Sequence, residues 1–301
     1  MDETFSDNLI KLIDKAVTGF QNSLPGLQEQ IADNIEQSMQ GLERDKLGAL
    51  KPNAANFKKL ANIKTQLQNV LTGTDYGKIS ANYLAAYTSF VNMANVYFES
   101  VSESFTPTEA LRAVQSAAID STVENLSKTG LMNGIGATLK APVLKSITNS
   151  IASGTPYLQA IKQMRQTVTG GVNEGPVERY AKPIATDSLN RFSANYLNIG
   201  SLGLGMDWFM YVGPIIKTTR CWCRATLEIK YIHRSEFQAL IDMSLPEFDC
   251  EVMETTGLAQ GMIDGTTPDN LVENRGGYNC LHQLIPVPDS YVPDSAKGRI
   301  V

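Results

Sequence analysis

Cysteine and histidine are scarce in this sequence and are confined to its last third. The 301 residues include four cysteines and two histidines, and none of the six precedes residue 221. Chemistry that depends on a thiolate or an imidazole is therefore excluded from the preceding two thirds. Any such chemistry lies between residues 221 and 282.

Long apolar runs and a surplus of basic residues are also missing. Residues 1–17 lack the basic start and apolar stretch of a signal peptide. The nearest candidate for a membrane span, residues 129–157, is interrupted by Lys140, Pro142 and Lys145. The net charge of −5 argues against a general nucleic-acid-binding protein, because phosphate neutralisation needs excess Lys and Arg. We therefore expect a soluble protein made in a reducing cytoplasm, with no transmembrane segment and no strong nucleic-acid signature.

The common enzyme signatures are absent as well. The sequence contains no G-x-S-x-G elbow, no H-E-x-x-H and no G-x-G-x-x-G after a predicted strand. We therefore expect a protein that is not an enzyme. A nucleophilic pair of Cys223 with His233 is the alternative, although no third group that would orient it is recognisable.

Apolar residues recur at helical spacing through most of the chain before residue 200. Such stripes include Leu9, Ile13 and Val17; Leu27, Ile31, Ile35 and Met39; Ile63 and Leu67; and Tyr83, Tyr87 and Phe90. The segment 106–109, Thr-Pro-Thr-Glu, predicts a capping box in which Thr106 accepts a backbone N–H. These patterns predict a helical arm over residues 1–135.

A second helical segment is predicted over residues 136–204. Glycine, alanine, serine and threonine dominate near Gly134, which is typical of a linker. The segment 153–156, Ser-Gly-Thr-Pro, starts a helix that Gly170 stops, and a further helix is expected from Pro183 to Leu197.

The pattern changes after Gly205, and a small α+β module is predicted over residues 205–301. The aromatic segment 206–212 is typical of a strand, and alternation over 225–232 predicts its partner in a β-hairpin. Ser235 is expected to cap a short helix, and the chain past Pro246 is expected to be loop. The predicted fold class is thus mainly α, with a long helical region followed by this Cys/His-bearing module.

The six cysteines and histidines suggest a zinc site. Zinc prefers thiolate sulfur and imidazole nitrogen, four at a time in a closed structural site. Residues two apart on an extended segment point the same way, so Cys221 can pair with Cys223, and Cys280 with His282. His233 follows the first pair, and these five residues are the candidate ligands. Reduced structural thiols and disulfides stay open as alternatives, because the C-x-C and C-x-H spacings differ from those of zinc ribbons.

Residues 151–287 resemble the phage Mu F-type head-morphogenesis family, the minor head proteins of tailed bacteriophages. The resemblance is carried, in order, by Ser153-Gly154-Thr155-Pro156, Ala185-Thr186-Asp187 through Asn190-Arg191-Phe192, Trp208 to Tyr211, Thr219-Arg220-Cys221-Trp222-Cys223, Gly277-Tyr278-Asn279-Cys280-Leu281-His282 and Ile285-Pro286-Val287. In this alignment Cys223 takes the family's first cysteine, and Cys280 with His282 take its terminal pair. Cys221 is an addition, and Leu281 stands where the family usually has arginine.

The resemblance implies a structural protein of the virion, assembled in the cytoplasm of a bacterial host. Such a protein is present in multiple copies and docks on portal, major capsid or tail-connector proteins. Two alternatives come from other features of the sequence. The small-residue-rich segment 131–151 suggests a virion protein that is ejected with the DNA or acts on membranes, and the C-terminal module can be read as an enzyme or toxin.

Overall fold

A computed structural model describes residues 3–71, 74–126 and 139–300 of the chain. Most of these residues are helical, and a small sheet lies near the C-terminal end, so the predicted fold class is confirmed. The helices and strands in chain order are α1 (Glu3–Met39), α2 (Ala54–Leu71), α3 (Thr74–Val101), α4 (Glu109–Leu126), α5 (Ala141–Ala152), α6 (Tyr157–Thr169), α7 (Pro176–Gly203), β1 (Trp208–Val212), α8 (Cys221–Ile229), β2 (Tyr231–His233), α9 (Phe237–Ile241), α10 (Leu271–Asn274), β3 (Gln283–Val287) and α11 (Asp294–Lys297).

The chain forms two compact units, each built from segments distant in sequence. The first, the sheet unit, comprises Met1–Lys15, Ala86–Ile119 and Thr186–Val301 as far as they are described. The second, the helical unit, comprises Ala16–Ala85 and Asp120–Ala185 within the same limits. The division predicted from the sequence, at residues 135 and 204, follows chain order and stays a prediction.

Within the helical unit, the part of α1 that belongs to it has a buried apolar face. The predicted apolar stripe of Leu27, Ile31 and Ile35 is buried there, as expected for a core-facing helix stripe. On the outside, the Arg165 guanidinium of α6 donates to three carboxylates of α1, those of Glu29, Asp33 and Glu36, at 2.7–2.8 Å. The three acids share one helix face because they are three or four residues apart. One arginine of α6 thus bridges three acidic side chains of α1.

Helix ends follow local capping chemistry. Gly170 ends α6 in the left-handed conformation, with φ of 82°, as the sequence predicts. The helix α4 begins at Glu109, and Thr108 Oγ1 accepts the N–H of Leu111 at 3.3 Å. The predicted cap at Thr106 is therefore wrong, since the N-cap position falls on Thr108. The helix predicted to begin at Pro183 begins at Pro176 instead.

The sheet has three antiparallel strands, with β1 in the centre between β2 and β3. The predicted aromatic strand is confirmed as β1. The strand β3 lies in the region predicted to be loop, and it contains Pro286, which pairs with Phe209. Proline is tolerated there because an edge strand has one side on which no N–H is needed.

The predicted partner strand over residues 225–232 is wrong, because most of it is the helix α8. Its buried residues are Trp222, Cys223, Ala225, Thr226 and Ile229, a spacing that lines one face of a helix. Trp222 Nε1 donates to the carbonyl of Leu240 at 2.9 Å and fastens α8 to α9. Only residues 231–233 pair with β1 as β2.

The two faces of β1 contribute to separate apolar clusters, since successive side chains of a strand point to opposite sides. One cluster, packed with α8 and α9, includes Phe209, Tyr211, Trp222 and Phe237. The other, packed with the C-terminal residues, includes Trp208, Met210, Val287 and Val292. The site described below lies on the side of Tyr211.

Within the described ranges, no helix combines the length and the apolar character needed to cross a membrane. The predicted linker near Gly134 and the first part of segment 129–157 lie outside the described residues.

Candidate metal centre

Two cysteines and one histidine meet in the interior of the sheet unit. The Sγ atoms of Cys223 and Cys280 are 3.9 Å apart, and Nδ1 of His282 lies 3.7 Å from Sγ of Cys280. One donor atom from each residue can be chosen so that all lie within 4.8 Å of one another. A tetrahedral zinc ion with Zn–S bonds of about 2.3 Å holds its sulfur ligands about 3.8 Å apart. The Cys223–Cys280–His282 cluster can therefore hold a metal ion.

Two different segments supply the cluster. Cys223 lies in the first turn of α8, and Cys280 and His282 lie in the segment between α10 and β3. The prediction that the two residues Cys280 and His282 point the same way is confirmed by their contact. All three side chains are buried.

Gly276 makes the close approach of the two sulfurs possible. A Cβ at this position would lie 2.4 Å from Sγ of Cys223 and 2.7 Å from Sγ of Cys280. Gly213 has the same relation to His282, because a Cβ there would lie 2.5 Å from the imidazole Cδ2. The cluster thus sits in a space that two glycines leave free.

His282 is held in place but is not fully hydrogen-bonded. Its ring stacks on Tyr211, with 5.3 Å between the ring centres and an angle of 6° between the planes. Its Nε2 is one of three buried side-chain atoms without a hydrogen-bond partner among the described residues. A polar group buried in this way costs about 1–3 kcal/mol. The Nδ1 atom of the same ring faces Sγ of Cys280, so the imidazole is placed to offer a nitrogen to a metal ion in the cluster.

A hydrogen bond between the two thiols shifts their pKa values in opposite directions. The hydrogen bond with Cys223 lowers the pKa of Cys280 well below its usual range, and the same hydrogen bond raises the pKa of Cys223. The hydrogen bond thus favours the negative charge on Cys280 and the proton on Cys223, and a thiolate is the form that binds metals.

A buried arginine hydrogen-bonds the backbone of one of the cluster residues. The side chain of Arg275 is only 2% exposed, and its guanidinium donates to the carbonyl oxygens of His282 and Asn190. Its positive charge adds to the hydrogen bond with Cys223 in lowering the pKa of Cys280. Residues 276–282, which carry Cys280 and His282, form the ligand segment. Because Arg275 binds backbone oxygens both on α7 and in this segment, it also positions His282.

Two more contacts tie the ligand segment to its neighbours. The Arg220 guanidinium donates to the carbonyl oxygens of Gly276 and Tyr278, the second at 2.7 Å. The Asp187 carboxylate of α7 accepts the N–H of Asn279 at 2.6 Å. Burial raises the pKa of Asp187 above its usual range, although this hydrogen bond opposes the shift.

A cavity of about 180 Å³ adjoins the cluster. All three cluster residues line it, together with Arg220, Thr218, Thr219, Pro214, Ile216, Asn279 and Leu281. Two of these lining residues, Ile216 and Leu281, are 44% and 41% exposed, so this part of the cavity lies at the surface.

Cys221 is not part of the cluster, and its prediction as a zinc ligand is wrong. It forms a disulfide with Cys250, with 5.7 Å between the two Cα atoms. The prediction assumed an extended segment, whereas Cys221 and Cys223 lie on α8, where residues two apart point about 200° away from each other. Cys221 is therefore exposed, while Cys223 is buried.

The structure does not bring His233 to the cluster either. His233 pairs with Trp208 in the sheet, so its side chain lies on the side opposite Tyr211. Its ring meets that of Trp208 edge-on, and its Nδ1 accepts the N–H of Ser235 at 3.2 Å. This geometry also separates it from Cys223, so the nucleophilic pair considered from the sequence is not formed.

Sequence reasoning missed four residues of the site. Tyr211, Arg275, Gly276 and Asn190 were assigned to a strand, a turn signal or a helix without a role in the cluster. The segment 275–278 does carry a local signal, since a double glycine beside a candidate ligand indicates a close backbone approach.

Comparison of the chain with protein-family models, with curated proteins and with solved structures finds no match.

Proposed function

We propose that this chain is a structural protein of a tailed-phage virion, of the minor head type, and that zinc bound by Cys223, Cys280 and His282 staples its C-terminal module. It acts by docking on portal, major capsid or tail-connector proteins, in multiple copies, and not by catalysis. It is assembled in the bacterial host and remains in the virion.

One observation carries this proposal: the separate stretches that resemble the Mu F-type family meet around the cluster. Asp187 and Asn190 of the second stretch bind the ligand segment through Asn279 and Arg275. Tyr211 of the third stretch stacks on His282. A chance likeness of short motifs gives no reason for these stretches to converge in space.

The fourth and fifth stretches converge in the same way. Arg220 of the fourth stretch binds the backbone of Gly276 and Tyr278, and Cys223 of the same stretch contacts Cys280 of the fifth. The stretch at residues 153–156 belongs to the helical unit and takes no part in this argument.

A zinc staple also suits the local architecture. Between α9 and β3 the described chain contains only one regular element, the four-residue helix α10. A metal ion that joins Cys223 on α8 to Cys280 and His282 would fasten the end of this irregular stretch to a helix. Binding free energy of this kind contributes directly to folding.

Elemental analysis of the purified full-length chain tests the zinc site. We expect about one zinc per chain, and its loss in the variant Cys280→Ser. The double variant Cys221→Ser/Cys250→Ser is the matched control, because it removes two cysteines outside the cluster and should keep its zinc. A folded wild-type chain with less than about 0.2 equivalents would contradict the site, since a structural site should be nearly full.

Quantitative mass spectrometry of purified particles of the phage that encodes the chain tests the structural role. We expect the protein at a reproducible copy number, with cross-links to portal, capsid or connector proteins. Its absence from particles, when it is abundant in infected cells, would overturn the proposal.

The same particles separate the two alternatives. Loss of the protein from emptied particles, together with leakage of liposomes exposed to the purified chain, would support an ejected or membrane-active protein. A hydrolytic or transferase activity that the variant Cys223→Ala abolishes would support an enzyme or toxin.

A further inference from the structure

We propose that the metal in the Cys223–Cys280–His282 cluster keeps one coordination position open toward the adjoining cavity, and that this position binds a small monoanion from solution. The inference rests on the proposed zinc site and goes beyond it, since a staple alone requires no exchangeable ligand. It makes the cluster a binding site with an accessible metal.

The cluster offers one donor fewer than the four ligands that zinc takes. Zinc takes four ligands, and a site with three protein ligands leaves the fourth position to water or to an exogenous ligand. Among the described residues, no further cysteine, histidine, aspartate or glutamate joins the cluster. Cys221 and Cys250 are paired with each other, and the His233 Nδ1 is bound to Ser235. The residues that the structure describes thus supply three donors.

The Tyr211 hydroxyl also lies near the cluster, 3.8 Å from Sγ of Cys280. A phenol is not among the ligands that zinc prefers. The ring is also held parallel to that of His282, which fixes the direction of the hydroxyl. Tyr211 therefore lies beside the cluster and does not supply the fourth ligand of the metal.

The adjoining cavity gives small molecules access to the cluster. The cavity of about 180 Å³ touches all three cluster residues and opens at the surface beside Ile216 and Leu281. Water occupies about 30 Å³ per molecule in the liquid, so the cavity has room for an ion of a few atoms. All three ligand residues therefore border a space that a small ion can occupy.

The charges in and around the cluster favour a negatively charged ligand. One divalent ion, two thiolates and one neutral imidazole sum to zero, so an anion at the fourth position meets no net repulsion from the cluster. Arg220 lines the cavity, and Arg275 lies buried next to the ligand segment. Within the described part of the chain, no acidic side chain lines the cavity, and the nearby Asp187 is engaged with Asn279. These charges favour an anion over a cation or a neutral ligand.

Cobalt substitution of the full-length chain tests the inference, because Co²⁺ occupies zinc sites and its visible absorption reports the ligands. Sodium azide is the probe. We expect a one-to-one cobalt complex whose absorption bands shift, with saturation, as azide is added. The dissociation constant for azide is then read from the titration.

Two neighbouring variants provide the matched control. Ile216 lines the cavity at its mouth, whereas the more exposed Ile215 does not line it. The variant Ile216→Trp should keep cobalt but weaken azide binding about tenfold or more, which is about 1.4 kcal/mol. The variant Ile215→Trp should bind both cobalt and azide as the wild type does.

The outcomes that oppose the inference can be told apart. A cobalt complex that forms normally but does not respond to azide shows a closed site, which overturns the open position and leaves the zinc staple standing. Equal azide binding in the two tryptophan variants shows that azide does not enter through this cavity. A folded chain that binds neither zinc nor cobalt overturns both the inference and the metal site.

Discussion

At Gly276 the absence of a side chain decides whether two sulfur atoms can meet. The space that a Cβ would need is taken by Sγ of Cys223 and Sγ of Cys280. Glycine is required here for close packing, and not for an unusual backbone angle, since Gly276 is not among the glycines with positive φ. The residue is therefore as much a part of the site as the ligands.

The variant Gly276→Ala should lower the affinity for zinc. Its methyl group forces the sulfurs away from the positions that suit a tetrahedral ion, and distortion of groups that support metal ligands typically costs about 10–100-fold in affinity. Competition with a chromogenic chelator measures the change. The control is Gly203→Ala, where a Cβ meets nothing within 4 Å. Unchanged affinity in Gly276→Ala would show that the backbone can move away without effect on the ligands.

The two histidines show how much of the site lies beyond local sequence. His282 and its neighbour Cys280 were correctly paired because the side-chain direction of an extended segment repeats every two residues. His233 was a candidate on the same grounds of residue type and position. Its exclusion depends on strand register, which places it opposite Trp208 and away from Tyr211. Register is set by pairing with another segment of the chain.

At the scale of single elements, the start of α4 has two neighbouring threonines that could each serve as its N-cap. The segment 106–109 offers two threonines, and Thr108 takes the N-cap because the helix begins at Glu109. The variant Thr108→Ala should destabilise the protein by about 1 kcal/mol, since it leaves a helix N–H without its side-chain partner.

Urea denaturation followed by circular dichroism measures this difference. The variant Thr106→Ala removes the same groups from the exposed threonine that was predicted to be the cap, and it should change stability little. If Thr106→Ala proved the more damaging of the two, the helix would begin where the sequence pattern first suggested.

The disulfide Cys221–Cys250 is an element-scale constraint that links the start of α8 to a distant loop. It spans a sequence separation of 29 residues. Closing a loop of this size stabilises a fold by about 3.6 kcal/mol in the chain-entropy account. The variant Cys221→Ser/Cys250→Ser should therefore unfold at lower urea concentration, while it keeps its zinc. A change in zinc content instead of stability would assign these cysteines to the metal.

The helix α8 also shows why the module was only partly predicted. Its nine residues include Thr226 and Ile229, whose residue types favour strands, although the spacing of its buried residues fits a helix. Burial of Trp222 against α9 selects the helix. Because that contact is made with residues later in the chain, a short window of sequence does not contain it.

At the scale of the whole chain, a carboxylate in the helical unit makes folding sensitive to acid. Glu178 accepts hydrogen bonds from Gln28 at 2.7 Å and from the N–H of Gly175 at 3.2 Å, and it forms an ion pair with Lys182 at 3.0 Å. Burial tends to raise its pKa, but these partners outweigh burial, so the pKa is lowered. The charged form is thus favoured in the folded state.

A group with a lowered pKa stabilises the fold above the pKa of the unfolded chain, and the contribution is lost as the pH falls through the folded value. The variant Glu178→Gln should therefore lose about 1–2 kcal/mol at neutral pH and show a smaller difference from the wild type in acid. Urea denaturation at a series of pH values measures this. Glu174→Gln, which removes the more exposed partner of Lys182, should have a smaller effect. A difference that stays constant with pH would contradict the account.

The sequence by itself determined the helical majority of the chain, the aromatic strand β1 and the pairing of Cys280 with His282. Each of these depends on side-chain periodicity within a few residues, which is local information. The tertiary structure alone decided that α8 is a helix, that Cys221 pairs with Cys250, that His233 faces away from the cluster and that Arg275 and Gly276 belong to the site. These outcomes depend on contacts between residues far apart in the chain, whose free energies exceed the small local preferences that a sequence pattern reports.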